Sequence, residues 1–195
     1  APGEGRGDIS AAEIAQRMHA RDVYGNAIRL MKRVLDQIQD KPLDAYAELR
    51  QTSARIFDEV RKESPYLLVL TSLSTAENYL HSHAVNTAIL TLDLGLGLHS
   101  LTGRPLEAQD REQLILAGVA ALLNDIGLAR NPHIHQPRRL SPDEQLEVKM
   151  HPLESLRLLD HVRDVNGSIK SLLREIIGHR TEEDRGPETP APAAM

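Results

Sequence analysis

The chain contains no cysteine, no tryptophan and a single phenylalanine. Without cysteine there is no disulfide framework, no thiolate zinc site and no thiol nucleophile. Aromatics make up only 3%, so Leu, Ile, Val and Ala must fill the interior. That composition suits helices packed on helices better than a β-sandwich. Positive charge is not in surplus either: 23 Lys and Arg stand against 28 Asp and Glu, a net charge of −5. Broad electrostatic binding of a nucleic-acid polymer is therefore not expected. No uninterrupted apolar run reaches the roughly 18 residues needed to cross a bilayer, so no membrane partner is expected. The opening A-P-G-E-G-R-G has neither Met nor a signal-peptide pattern and reads as part of something longer. These absences fit a cytoplasmic protein.

What is present is a 195-residue chain, 41% apolar and 26% charged. It is sized for one ordinary domain with a helical extension. Residues 1–8 are Gly-rich and expected to be disordered. A helical pattern runs from Ile9 to about Gln39, with Ile14, Met18, Ala27, Leu30, Met31, Val34, Leu35 and Ile38 at helical spacings. Ser10 with Glu13 resembles a capping box, and Gly25 marks an expected break. Asp44 is the expected N-cap of a second helix reaching Lys62. Pro65 restarts the chain into a short buried helix. Further helices are expected over 75–99, 105–124, 141–161 and 166–179. The third of these opens Ser141-Pro142-Asp143-Glu144, with a cap, Pro in the first turn and acids to follow. Residues 186–195, rich in Pro, are expected to be a disordered tail. No repeat and no convincing strand is visible, so the expected class is all-α.

Two polar residues break the longest apolar run. Asn124 and Asp125 close Leu114–Leu123, where an unpaired buried polar group costs roughly 1–3 kcal/mol and a charge more. The simplest reading is a helix-end cap. Nine His residues are also present, and His83, His151 and His179 sit beside apolar stripes on separate helices. Singly, each reads as a hydrogen-bonded core His; together with Asp125 they could converge as bundle metal sites do. His81 and His83 lie two apart, on different helix faces, and should not chelate together. Arg130, Arg138 and Arg139, with His133 and His135, form a short basic stretch that reads as solvated surface or as a contact for an anionic ligand. Gly95 and Gly97 read as close-packing positions and not as a phosphate loop, since no strand precedes them.

In order along the chain, Y-L-H-S-H-A-V-N-T-A, L-L-N-D-I-G, M-H-P and H-R-T-E-E-D-R-G-P resemble the signatures of the HD-GYP family, metal-dependent phosphohydrolases of the HD superfamily that cleave cyclic di-GMP. The resemblance covers about residues 66–187. It implies an HD-domain helical bundle over 65–185, preceded by an N-terminal helical extension over 9–64. It also implies that His83, Asp125, His151 and His179 occupy metal-ligand positions of the family. There, divalent metals polarise a phosphodiester and acidify a bridging water.

The same resemblance implies a degenerate site. Asn124 stands where the family has the His of its His-Asp pair. Leu128 stands where it has a Lys facing phosphate. The family's paired His is either Gly178-His179, which keeps the length to Glu183, or His179-Arg180, which aligns Asp184 with the motif's Asp; the second is preferred, making Arg180 a replaced ligand. Gly-Tyr-Pro has become Gly186-Pro187, the 128–140 loop is about two residues short, and there is no room before Met195 for the helix bearing a further Asp ligand. The resulting expectation is a regulatory binding or interaction module in bacterial cyclic di-GMP-related signalling with little or no phosphodiesterase activity. No cofactor is expected at full occupancy; Fe, Mn or another divalent metal would bind if the remnant site functions. The alternative is a phosphohydrolase working through a reduced metal site. The expected partners are a second copy, through wide apolar faces on residues 10–63, and a cyclic dinucleotide or signalling protein.

Overall fold

The computed structural model describes residues 10–38, 44–62, 65–72, 79–131, 138–163 and 167–183, without the side chains of 168–169 and 178–183. The proposed disordered ends, residues 1–8 and 186–195, lie outside the described residues. So do His133 and His135.

The described residues form helices and no strand. Helix α1 (Ala11–Gln37) begins where the Ser10 hydroxyl accepts the Glu13 N–H at 3.1 Å. It runs through Gly25 unbroken, contrary to expectation. A mid-helix glycine costs only about 1 kcal/mol, and Ala20, Val23, Ala27, Leu30, Met31, Val34 and Leu35 on one stripe bury enough to override it. Helix α2 (Tyr46–Val60) starts one residue later than the Asp44 cap would place it. Its N-cap is Ala45, with no side-chain cap, and the buried Tyr46, Leu49, Ile56 and Phe57 hold it instead. Helix α3 (Pro65–Leu70) is a short link. Helix α4 (Tyr79–Ser100) packs on α1, α2, α3 and α5, and α5 (Ala108–Leu123) packs on α2, α4 and the last helix. One continuous core joins residues of α1 and α2 to those of α4, α5 and the C-terminal helices.

Two glycines let the central helices approach. A Cβ on Gly95 of α4 would lie 2.5 Å from Leu114 Cδ2, and one on Gly118 of α5 would lie 2.2 Å from Ser53 Oγ. The Ser53 hydroxyl donates to the Ile115 carbonyl at 2.7 Å, satisfying itself at that crossing. Gly97 differs from the sequence expectation: nothing lies within 4 Å of its Cβ position. By length and apolar character, Ala108–Arg130 would pass for a membrane span, although charged and polar residues interrupt it. Yet 67% of its most apolar window is buried inside the fold, as in the core helix of a globular protein.

The single helix expected over 141–161 is two: α6 (Pro142–Lys149) and α7 (His151–Leu159), meeting at Met150. Pro152 has no N–H to continue the ladder and its ring opposes an uninterrupted helix. Helix α8 (Gly167–Glu183) closes the described chain against α5 and α7. The α6 capping box forms as the sequence suggests, with Ser141 N–H donating to Glu144 at 2.8 Å and Glu144 N–H returning to the Ser141 hydroxyl. The Arg138 guanidinium, at 2.7 Å, and this cap together pull the Glu144 carboxyl down from 4.5 to about 2. A depressed carboxylate stabilises the fold above its unfolded value near 4.5, and that contribution disappears as pH falls through about 2. Carbon-detected NMR titration is expected to place Glu144 near 2 and to move it back toward the ordinary range in Arg138→Ala; an unmoved Glu144 would break this account.

Candidate functional site

Helix α5 ends at Leu123, with Asn124 as C-cap. At Asp125 the backbone leaves the helix (φ −109°, ψ 18°) and enters the 3-10 turn Ile126–Arg130. The turn's Ile126, Gly127 and Leu128 are buried, which fixes Asp125 between α4 and α7. Gly127 makes that seat possible. Its N–H donates to the buried Ser155 hydroxyl at 2.9 Å, and a Cβ there would sit 2.2 Å from the His151 carbonyl oxygen.

Two His residues from different helices meet Asp125. His83 Nε2 lies 2.8 Å from Oδ2, and His151 Nε2 lies 2.8 Å from Oδ1. Asn124 Nδ2 donates to the same Oδ1 at 3.1 Å. Asp125 is 4% exposed, against 12% for the His151 side chain and 36% for that of His83. The charge is thus buried with donors around it, the condition under which a buried carboxylate is tolerated. Asn124 does the work of a donor here. An imidazole in its place would offer a nitrogen lone pair; an amide Nδ2 offers none.

The His-Pro step explains how His151 is aimed. In an uninterrupted helix the Val148 carbonyl would accept the N–H of residue 152. Pro152 has none, and Val148 O accepts His151 Nδ1–H at 2.7 Å instead. With Nδ1 fixed, Nε2 must point at Asp125. Both ring nitrogens of His151 thus face an oxygen, the Val148 carbonyl on one side and the Asp125 carboxyl on the other. His83 is braced differently: Tyr79, one turn earlier on α4, stacks on it with centroids 5.6 Å apart and planes 17° from parallel.

The structure therefore brings together three of the four suggested ligand positions, His83, Asp125 and His151; the side chain of His179, like that of Arg180, lies outside the described residues. Leu128 belongs to the hydrophobic core, where a phosphate-facing Lys would be misplaced. Arg130 pairs with Glu154 at 2.6 Å and Arg138 with Glu144, while Arg139 is exposed. The cavity beside His151, lined by Gly127, Arg130, Glu147, Glu154 and Arg157, measures about 270 Å³. That is under the range that encloses a drug-sized ligand, and its two Arg and two Glu offset each other. Sequence reasoning missed Tyr79, Gly127, Ser155 and the Val148 carbonyl. The Tyr79–His83 spacing of four and the His151-Pro152 step were the available signals.

The fit to a metal centre is incomplete. Among the described residues no group of three or more His, Asp and Glu side chains is arranged to hold a metal ion. The contacts of Asp125 with His83, His151 and Asn124 are each ones that a direct N–H···O hydrogen bond satisfies. His151 does carry the outer hydrogen bond that commonly orients a metal-binding imidazole, so the cluster keeps one element of such a site, without the ligand set of a two-metal centre among the described residues.

The fold and this cluster define an all-α protein with a His–Asp–His cluster, built on a buried Asp125, at the junction of α4, α5 and α7. Comparison with protein-family models, with curated proteins and with solved structures finds no match.

Proposed function

We propose that the chain is a degenerate HD-GYP-type domain, a regulatory binding and interaction module in bacterial cyclic di-GMP-related signalling, located in the cytoplasm and with little or no phosphodiesterase activity. The observation that carries this reading is the environment of Asp125. His83 and His151 reach it in the order the resemblance implies, while Asn124 supplies a donor where a metal-binding imidazole would stand. A carboxylate held by N–H groups is a structural linchpin, and a phosphodiester needs the Lewis acidity that a metal cluster would supply.

The test is cyclic di-GMP hydrolysis with Mn²⁺ or anaerobic Fe²⁺, with elemental analysis of the desalted protein. No turnover above a protein-free control is expected, and near-zero metal per chain. Turnover abolished by Asp125→Ala would overturn the reading in favour of a metal-dependent phosphohydrolase. That second reading has the convergence of two imidazoles on one carboxylate in its favour.

The proposal includes a homodimer through residues 10–63. Most of the apolar face of α1 and α2 is covered by α3, α4 and α5, leaving Ile14 and Met18, one turn apart, exposed on α1. Light scattering at micromolar concentration should give a dimer that Met18→Ser weakens. Helix α4 and the turn after it expose a separate stripe, Leu90, Leu94, Leu98 and Leu101. Loss of the dimer in Leu94→Ser alone would move the interface there, and monomer throughout would remove the dimer from the proposal.

A further inference from the structure

A larger cavity lies elsewhere. The C-terminal end of α2, helix α3, the C-terminal half of α4 and the following loop enclose about 650 Å³, a volume typical of small-molecule sites. Val60, Leu67, Leu68, Leu96 and Leu106 give it an apolar wall. Its polar lining is Arg61, Asp93, His99, Ser100 and Arg104, of which Ser100 already donates to the Leu96 and Gly97 carbonyls. His99 Nε2 is buried with no hydrogen-bond partner among the described residues, a rare condition for a polar atom in a folded protein. Arg61 and Arg104 make no ion pair or side-chain hydrogen bond with any described residue.

We propose that this cavity binds a medium-chain aliphatic carboxylate. The apolar wall takes the tail. Arg61 and Arg104 share the head, since guanidinium groups match carboxylate geometry and favour charge-assisted hydrogen bonds. His99 Nε2 supplies a further hydrogen bond. Asp93 also lines the cavity, and its negative charge selects a singly charged head over a doubly charged phosphate.

Titration calorimetry of the full chain with decanoate, below its micellar concentration, tests this. One saturable site per chain is expected, with a Kd on the order of micromolar. Decanol and decyl phosphate should each bind at least about tenfold more weakly, and acetate not detectably. The exposed pair Arg61→Gln/Arg104→Gln should weaken decanoate binding by about tenfold or more with an unchanged melting temperature. His99→Gln, which keeps a polar side chain, should lose less. Equal affinity for decanol, tighter binding of decyl phosphate, unchanged affinity in the double variant, or no saturation by about 1 mM would each overturn the proposal.

Discussion

Gly127→Ala is expected to destabilise the protein by about 3 kcal/mol, the upper end for overpacking a tight interior. The added Cβ would lie 2.2 Å from the His151 carbonyl oxygen, 2.7 Å from Ser155 N and 2.9 Å from Ser155 Oγ. The nearest two atoms are backbone and cannot rotate away. Relief requires the turn to lift off α7, which also breaks the Gly127 N–H to Ser155 hydrogen bond and pulls Asp125 from His151. For a chain of this size the melting temperature should fall by roughly 6–12 °C. Gly97→Ala is the matched control: with open space at its Cβ position, it should stabilise α4 by about 0.5–1 kcal/mol through lost backbone freedom in the unfolded chain. Thermal denaturation followed by circular dichroism checks both. A Gly127→Ala protein that melts with the wild type would mean that α7 does not seat on the turn as described.

Asp125→Ala is expected to cost about 2–3 kcal/mol, below the usual 3–5 for breaking a buried ion pair. The discount follows from the unequal exposure of its partners. His151, 12% exposed, is left with Nε2 facing no acceptor, whereas His83, 36% exposed, recovers much of its loss from water. Double-mutant cycles by chemical denaturation should divide the effect the same way, with coupling of about 1–3 kcal/mol to His151 and under about 1 kcal/mol to His83. The metal reading predicts the opposite. If Asp125 is a ligand whose charge is poorly compensated without metal, Asp125→Ala should leave the metal-free protein as stable or more so, and Mn²⁺ should raise the stability of the wild type alone.

Much of the fold was legible because its causes are local. Ser10 and Ser141 with Glu144 announce helix starts through hydrogen bonds made within three residues. The periodic apolar stripe of α1 marks the face that enters the core. Reading failed where a distant contact outweighed a local preference. Gly25 does not break α1, and Asp44 does not cap α2, because buried side chains on both helices fix them more strongly than a single residue's propensity. Gly97 and Gly95 look alike in L-G-L-G-L, yet only Gly95 meets Leu114; two positions along a helix turn it by more than half a revolution.

The candidate site divides along the same line. The sequence by itself determined which residue types were available: no thiol, an Asn beside Asp125, a His followed by Pro, and helical stripes bordering each candidate His. Those are properties of composition and of neighbours within one turn. Only the tertiary structure decided that His83 and His151 close on opposite oxygens of one buried carboxylate, that Asn124 donates to it, and that Leu128 belongs to the core. Those outcomes depend on α7 seating against Gly127 and on α4 lying beside α5, contacts between segments far apart in the chain. A one-dimensional pattern records which side chains can pair; the free energy of packing helices together selects which of them do.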